Sequence, residues 1–237
     1  MASTVTQRQA ARPDPASGYA LATLVGSSIL VAGLMAIAAL LGRSPSPITW
    51  YLARAAGIML YLLAWTAVVT GLGLTTALFD RWPGRGMVFS LHAFATNLTY
   101  GFLALHLLSL AADTKVRFSL QQLLVPFASG WREPWTGFGI LAGALFLLVG
   151  VSFSLKRFIG QRVWRALHWL TFPLYLLALL HGIGAGSDTR TPWMAVLYLA
   201  TGAAVVLLVS YRLLRAGTRA PVAGSAARQA RPAAVSS

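Results

Sequence analysis

Four histidines, at positions 92, 106, 168 and 181, are the residues best placed to do chemistry, and each lies inside a long apolar stretch. An ionisable side chain inside a membrane helix is costly, so it is a functional candidate by default. They fall as two pairs, His92 with His106 and His168 with His181, separated by 14 and 13 residues. At helical rise those spacings put two levels about 20 Å apart. Neutral imidazole is a common metal ligand, and two imidazoles facing each other across a helix pair can hold one metal axially. Bis-imidazole iron suits a haem used for electron transfer, and two levels would stack two haems across a bilayer. Two other chemistries compete. The histidines could hydrogen-bond between helices. They could also join a non-haem metal site, which needs three or more convergent ligands, and no carboxylate lies in these stretches to supply one.

Helical phase supports facing pairs only in part. Fourteen residues return to within about 40° of the starting direction, whereas thirteen miss by about 140°. Pro173 lies between His168 and His181, and proline kinks a helix, so ideal phase need not hold there.

The elements that must position these residues follow from composition. Of 237 residues, 57% are hydrophobic and 10% charged, against roughly 25% charged in soluble domains. Lys and Arg number 19 against 5 Asp and Glu, giving a net charge of +14. A nucleic-acid binder carries such charge on a polar chain, but here the cations sit between apolar runs. The absence of cysteine excludes disulfides, thiolate zinc, iron–sulfur clusters and covalently attached c-type haem.

Six stretches are long enough to cross a bilayer of about 30 Å: Tyr19–Leu41, Ile48–Phe79, Gly86–Ala112, Trp135–Leu155, Val163–Ala185 and Trp193–Leu214. Backbone polar groups in lipid must pair internally, so these read as helices. The expected fold is all-α: a polytopic six-helix transmembrane bundle with the histidines on its third and fifth spans. Residues 1–18 form an N-terminal tail, 19–215 the membrane domain and 216–237 a polar, disordered C-terminal tail. The first apolar run exceeds twenty residues, too long for a signal-peptide core. Thirteen of the 19 Lys and Arg fall on one side of this topology, so both termini are expected in the cytoplasm of a plasma (inner) membrane protein.

Several further residues frame the histidines. Arg54, near the outer end of the second span, either snorkels to the interface or pairs with a carboxylate of an outer haem. Lys156, Arg157, Arg162 and Arg165 form a basic loop before His168. It contacts anionic lipid, docks an acidic partner, or holds an inner haem's carboxylates. In the long outer connection, Ser119 and Gln122 have the spacing of a capping box, opening the apolar run Leu123–Phe127, which is either a short interfacial helix or a loop packed on the bundle. Glycines at 57, 71, 73, 101, 137, 139 and 143 allow close helix approach, with Gly57 and Gly101 the first candidates for making room for a flat group. Tryptophans 50, 82, 131, 135 and 193 lie near span ends, as an aromatic belt does.

Together these residues resemble a known family. The segments His92-Ala-Phe-Ala-Thr…Ala-Leu-His106-Leu-Leu and Arg162-Val-Trp-Arg-Ala-Leu-His168…His181-Gly are similar to the ferric reductase-like transmembrane domain. That superfamily includes ferric reductases, NADPH oxidases and the haem subunit of periplasmic methionine sulfoxide reductase. Three further stretches resemble its stand-alone bacterial members: Trp50-Tyr-Leu-Ala-Arg54-Ala-Ala-Gly57, Leu124-Val-Pro126-Phe-Ala-Ser129 and His181-Gly-Ile-Gly-Ala-Gly-Ser-Asp188-Thr-Arg-Thr-Pro-Trp193. The resemblance covers residues 48–215. It implies two b-type haems bound between the third and fifth helices, His92 paired with His168 and His106 with His181. It also implies transmembrane electron transfer in an oxidoreductase.

The full-length enzymes of that superfamily continue into a flavin- and nicotinamide-binding module. No Gly-x-Gly-x-x-Gly fingerprint follows a strand here, so no FAD or NAD site is expected in this chain. Electrons are then expected from a separate donor, a cytoplasmic flavoprotein or a quinol, and to leave for ferric iron or a periplasmic redox protein. The alternatives are a quinol-linked haem subunit of a periplasmic reductase, a transporter, which usually needs acidic residues in the membrane, and a non-redox membrane scaffold.

Overall fold

The computed structural model describes residues 48–217, and they are helical, with no strand. The helices are α1 (Ile48–Thr76), α2 (Arg85–Ala111), α3 (Leu120–Leu124), α4 (Trp135–Ser154), α5 (Lys156–His168), α6 (Thr171–Ala185) and α7 (Pro192–Gly217), with a π turn at Asp80–Gly84 joining α1 to α2. Among the described residues, four spans are long and apolar enough to cross a membrane: α1, α2 with its π turn, α4 and α7. The bent pair α5–α6 makes a fifth if it counts as one span. The expected first span, Tyr19–Leu41, the N-terminal tail and most of the C-terminal tail lie outside the described residues.

The fifth span departs from the expectation of one helix kinked at Pro173. It is two helices bent by 43° across Trp169 and Leu170. Proline lacks an N–H, and its ring excludes the carbonyl four residues back, which here belongs to Trp169. The helix therefore breaks one turn early. Pro173 then sits in the first turn of α6, where a missing N–H costs nothing. The basic segment before His168 is helical rather than a loop, and Gly160 gives it a second break with φ 79°.

The described bundle is two tight helix pairs. α1 packs along α2, and α4 packs along α6, while α7 and α6 close against α1. The histidine-bearing elements, α2 (His92 and His106) on one side and the bent pair α5–α6 (His168 and His181) on the other, scarcely touch. Where α1, α6 and α7 meet, the Tyr61 hydroxyl lies 3.0 Å from that of Tyr175 and 2.5 Å from Thr201 Oγ1. The Trp65 indole donates to the Thr201 carbonyl at 3.1 Å. Buried polar groups must be paired, and these pairs fix how the three helices register. Tyr61→Phe is expected to leave two partners short and to destabilise the bundle by about 1–2 kcal/mol, read as a lower Tm in detergent. An unchanged Tm would remove this network from the account.

The outward faces carry large apolar side chains, among them Leu147, Leu148, Val196, Leu199, Val206 and Leu207. Soluble proteins rarely expose such contiguous apolar surface, but hydrocarbon solvates it.

Candidate functional site

The fold brings the four histidines together as two facing pairs. The ring centroids of His92 and His168 are 6.3 Å apart with planes at 69°, and those of His106 and His181 are also 6.3 Å apart, at 85°. The 140° phase mismatch along the fifth span is thus absorbed by the break at Trp169–Leu170. Among the described residues no three His, Cys, Asp or Glu converge, so each level offers two imidazoles and no third protein ligand.

Three of the four rings are held in one way. The Nδ1 of His106 bonds the Ala53 carbonyl at 2.8 Å, that of His92 bonds Ala67 at 2.9 Å, and that of His181 bonds Trp135 at 2.9 Å. A carbonyl only accepts, so Nδ1 carries the hydrogen. In the neutral ring Nε2 is then the bare nitrogen, free to bind a metal. A backbone bond at the other nitrogen fixes tautomer and orientation and raises ligand basicity.

A glycine stands four residues after each accepting carbonyl: Gly57, Gly71 and Gly139. In a helix the carbonyl of residue i points at residue i+4, so a side chain there would block a second donor. A Cβ added at Gly139 would lie 2.5 Å from His181 Nδ1, one at Gly57 3.1 Å from His106 Cε1, and one at Gly71 3.4 Å from His92 Cε1. These glycines seat the rings themselves. Gly73 and Gly137 instead accommodate the rings of Phe79 and Phe127.

Ala-x-x-x-Gly occurs at 53–57 and again at 67–71, spaced by the same 14 residues as His92 and His106. On antiparallel α1 and α2 that matched spacing brings 53 opposite 106 and 67 opposite 92. In the sequence, this repeat at the histidine spacing is the mark of those two seats.

His168 is the exception. Its ring stacks on Trp164, with centroids 5.1 Å apart at 27°, and no hydrogen bond to it is found among the described residues. It ends α5, immediately before the bend.

A cavity of about 360 Å³ surrounds the outer pair, lined among others by Gly57, Thr99, His106, Gly139 and His181. The capping box forms as expected, with Gln122 Oε1 accepting from Ser119 N at 3.0 Å and Ser119 Oγ accepting from Gln122 N at 3.3 Å. It starts α3, whose Gln122, Leu123 and Leu124 line this cavity.

Arg54 also lines the cavity, but its guanidinium is engaged by Asp188 in a two-point ion pair, with Nε to Oδ2 at 3.0 Å and Nη2 to Oδ1. In the sequence Asp188 stands in a stretch that carries the family resemblance, but nothing there marks it as the partner of Arg54. Its side chain is 19% exposed, and pairing of this fork-to-fork kind is geometrically specific. Asp188→Asn is expected to cost on the order of 1 kcal/mol at this partly screened position, measured as a lower Tm. No loss would mean that the pair contributes nothing to holding the α6–α7 connection on α1.

Comparison of the chain with family models, curated proteins and solved structures finds no match.

Proposed function

We propose that the protein holds two b-type haems, one between His92 and His168 and one between His106 and His181, and passes electrons across a membrane. The observation that carries the reading is the 6.3 Å separation of the ring centroids in both pairs. A metal–nitrogen bond is about 2.0 Å, and an imidazole centre lies roughly 1.15 Å beyond its nitrogen. Two imidazoles on opposite faces of one metal therefore place their centroids about 6.3 Å apart. A direct histidine–histidine hydrogen bond would draw them to roughly 5.2 Å. The separation favours a shared ligand over a simple interhelical bond. The gap between α2 and α6, the apolar cavity at the outer pair and the bare Nε2 atoms support the same reading.

A haem held by two imidazoles supplies a one-electron iron centre. The chain's contribution is to hold and orient. Ala53, Ala67 and Trp135 fix three rings, the glycines admit them, and the apolar walls keep water away. Arg54 stands at the cavity wall, where it can neutralise a haem carboxylate in exchange for Asp188.

The protein acts in a plasma (inner) membrane with both termini in the cytoplasm. Among the described residues the inner end carries Arg81, Arg85, Lys156, Arg157, Arg162, Arg165, Arg212 and Arg215, eight cations against the five at the outer end, Arg54, Lys115, Arg117, Arg132 and Arg190. Its donor is a separate cytoplasmic flavoprotein or a quinol, and its acceptor, outside, is ferric iron or a periplasmic redox protein.

The test is transfer across a sealed membrane. Vesicles containing the purified protein are loaded with ferricyanide and given dithionite outside. Bleaching at a rate well above that of protein-free vesicles is expected, and the rate should fall to background in His106→Ala. Equal rates with and without protein would reject transmembrane transfer.

A further inference from the structure

We infer that Lys156 and Trp164, beside His168, form a subsite for an anionic oxygen, a carboxylate or a phosphate. The inference rests on the di-haem reading for one of its two possible sources. The indole Nε1 of Trp164 is buried and has no acceptor among the described residues. A buried donor left unpaired keeps its full desolvation penalty, so an acceptor is called for. The ammonium of Lys156 lies 4.3 Å from the centre of the same indole, and the His168 ring stacks on it. One N–H donor and one cation therefore meet at a single aromatic ring that touches a proposed ligand.

Among the described residues, nothing at the inner end supplies the missing acceptor. Among the described residues, the acidic side chains are Asp80, Asp113, Glu133 and Asp188. Asp113 accepts from Thr49 and two backbone amides, Asp188 pairs with Arg54, and Glu133 caps α4 by accepting from Gly137 N. Asp80 lies 3.7 Å from Arg85. The local charge is positive: Arg157, Arg162 and Arg165 share α5 with Lys156 and Trp164. An anionic oxygen answers both the orphaned donor and this excess. Two sources fit: a carboxylate of a haem at the inner site, and the phosphate of an anionic lipid.

The subsite also accounts for the different treatment of His168. The other three rings are held by backbone carbonyls on a neighbouring helix. His168 is held by Trp164 on its own helix, so whatever fixes Trp164 fixes the ring.

The experiment uses full-length protein and the variants Trp164→Phe, which keeps an aromatic ring beside His168 but has no N–H, Lys156→Gln, and Lys156→Arg, which keeps the charge. Redox titration is done in lipid-free detergent and in nanodiscs of phosphatidylcholine with and without phosphatidylglycerol. Native mass spectrometry counts retained phosphatidylglycerol. If the oxygen belongs to a haem carboxylate, Trp164→Phe and Lys156→Gln shift the inner midpoint to more negative values in detergent, and the outer midpoint stays. If it belongs to a lipid, the shift appears only with phosphatidylglycerol, and both variants lose retained lipid. Lys156→Arg should behave as wild type in either case. Unchanged midpoints and unchanged lipid retention in both variants would overturn the subsite. A protein without haem would overturn the di-haem reading instead, and lipid retention alone would then decide the subsite.

Discussion

His106→Ala is expected to lower the haem content of the purified protein from two per chain to one, without unfolding it. Loss of the ring would remove one of the two imidazoles proposed to hold the outer haem. His181 remains, seated on the Trp135 carbonyl at 2.9 Å, but one imidazole across an apolar cavity holds haem weakly. The fold survives because the Ala53 carbonyl that received His106 Nδ1 keeps its helical partner, the Gly57 amide. No buried acceptor is orphaned, so the large desolvation penalty is avoided. The inner pair, His92 and His168, is about 20 Å away along the helices and should keep its haem. Circular dichroism and gel filtration report the fold, and pyridine haemochrome per protein reports the content. A variant with full haem content would show that His106 is not a ligand.

The second large effect separates two glycines that look alike in sequence. Gly139→Ala places a methyl group 2.5 Å from His181 Nδ1, closer than real Cβ contacts, whereas Gly71→Ala places one 3.4 Å from His92 Cε1, an ordinary contact. Overpacking of the first kind costs about 2 kcal/mol, a roughly thirtyfold loss of affinity at the outer site. The second substitution should retain the inner haem and gain a few tenths of a kcal/mol of helix stability. Haem titration of the two apo variants measures the contrast. Equal affinities would mean that the glycines do not seat the rings.

The histidine pairs were legible because their spacing is a property of helices alone. Six apolar stretches, two of them with histidines about 20 Å apart, already imply two levels. What sequence left open was whether the 13-residue spacing on the fifth span could be reconciled with the 14 on the third. The answer depends on where a proline breaks the helix. The excluded carbonyl belongs to Trp169, so the break falls before Pro173 and next to His168. That consequence follows from ring sterics, yet its effect on phase needs the rest of the bundle to set the new axis.

Arg54 shows a different limit. Its type and depth left open snorkelling to the interface and pairing with a haem carboxylate, and its guanidinium is instead engaged by Asp188, 134 residues away. Only the packing of α1 on the α6–α7 connection brings the two together. The seats at Ala53, Ala67 and Trp135 fall between these cases. Backbone carbonyls carry no side-chain signature, and only the glycine four residues later marks them.

The central claim is that each facing histidine pair holds one haem. The most direct test is the dithionite-reduced minus oxidised spectrum of the purified protein, expressed with adequate haem and quantified as pyridine haemochrome. The account predicts b-type bands and two haems per chain. A single haem would mean that one of the 6.3 Å pairs is not a ligand pair, with unseated His168 the first to examine. A colourless protein would contradict the account.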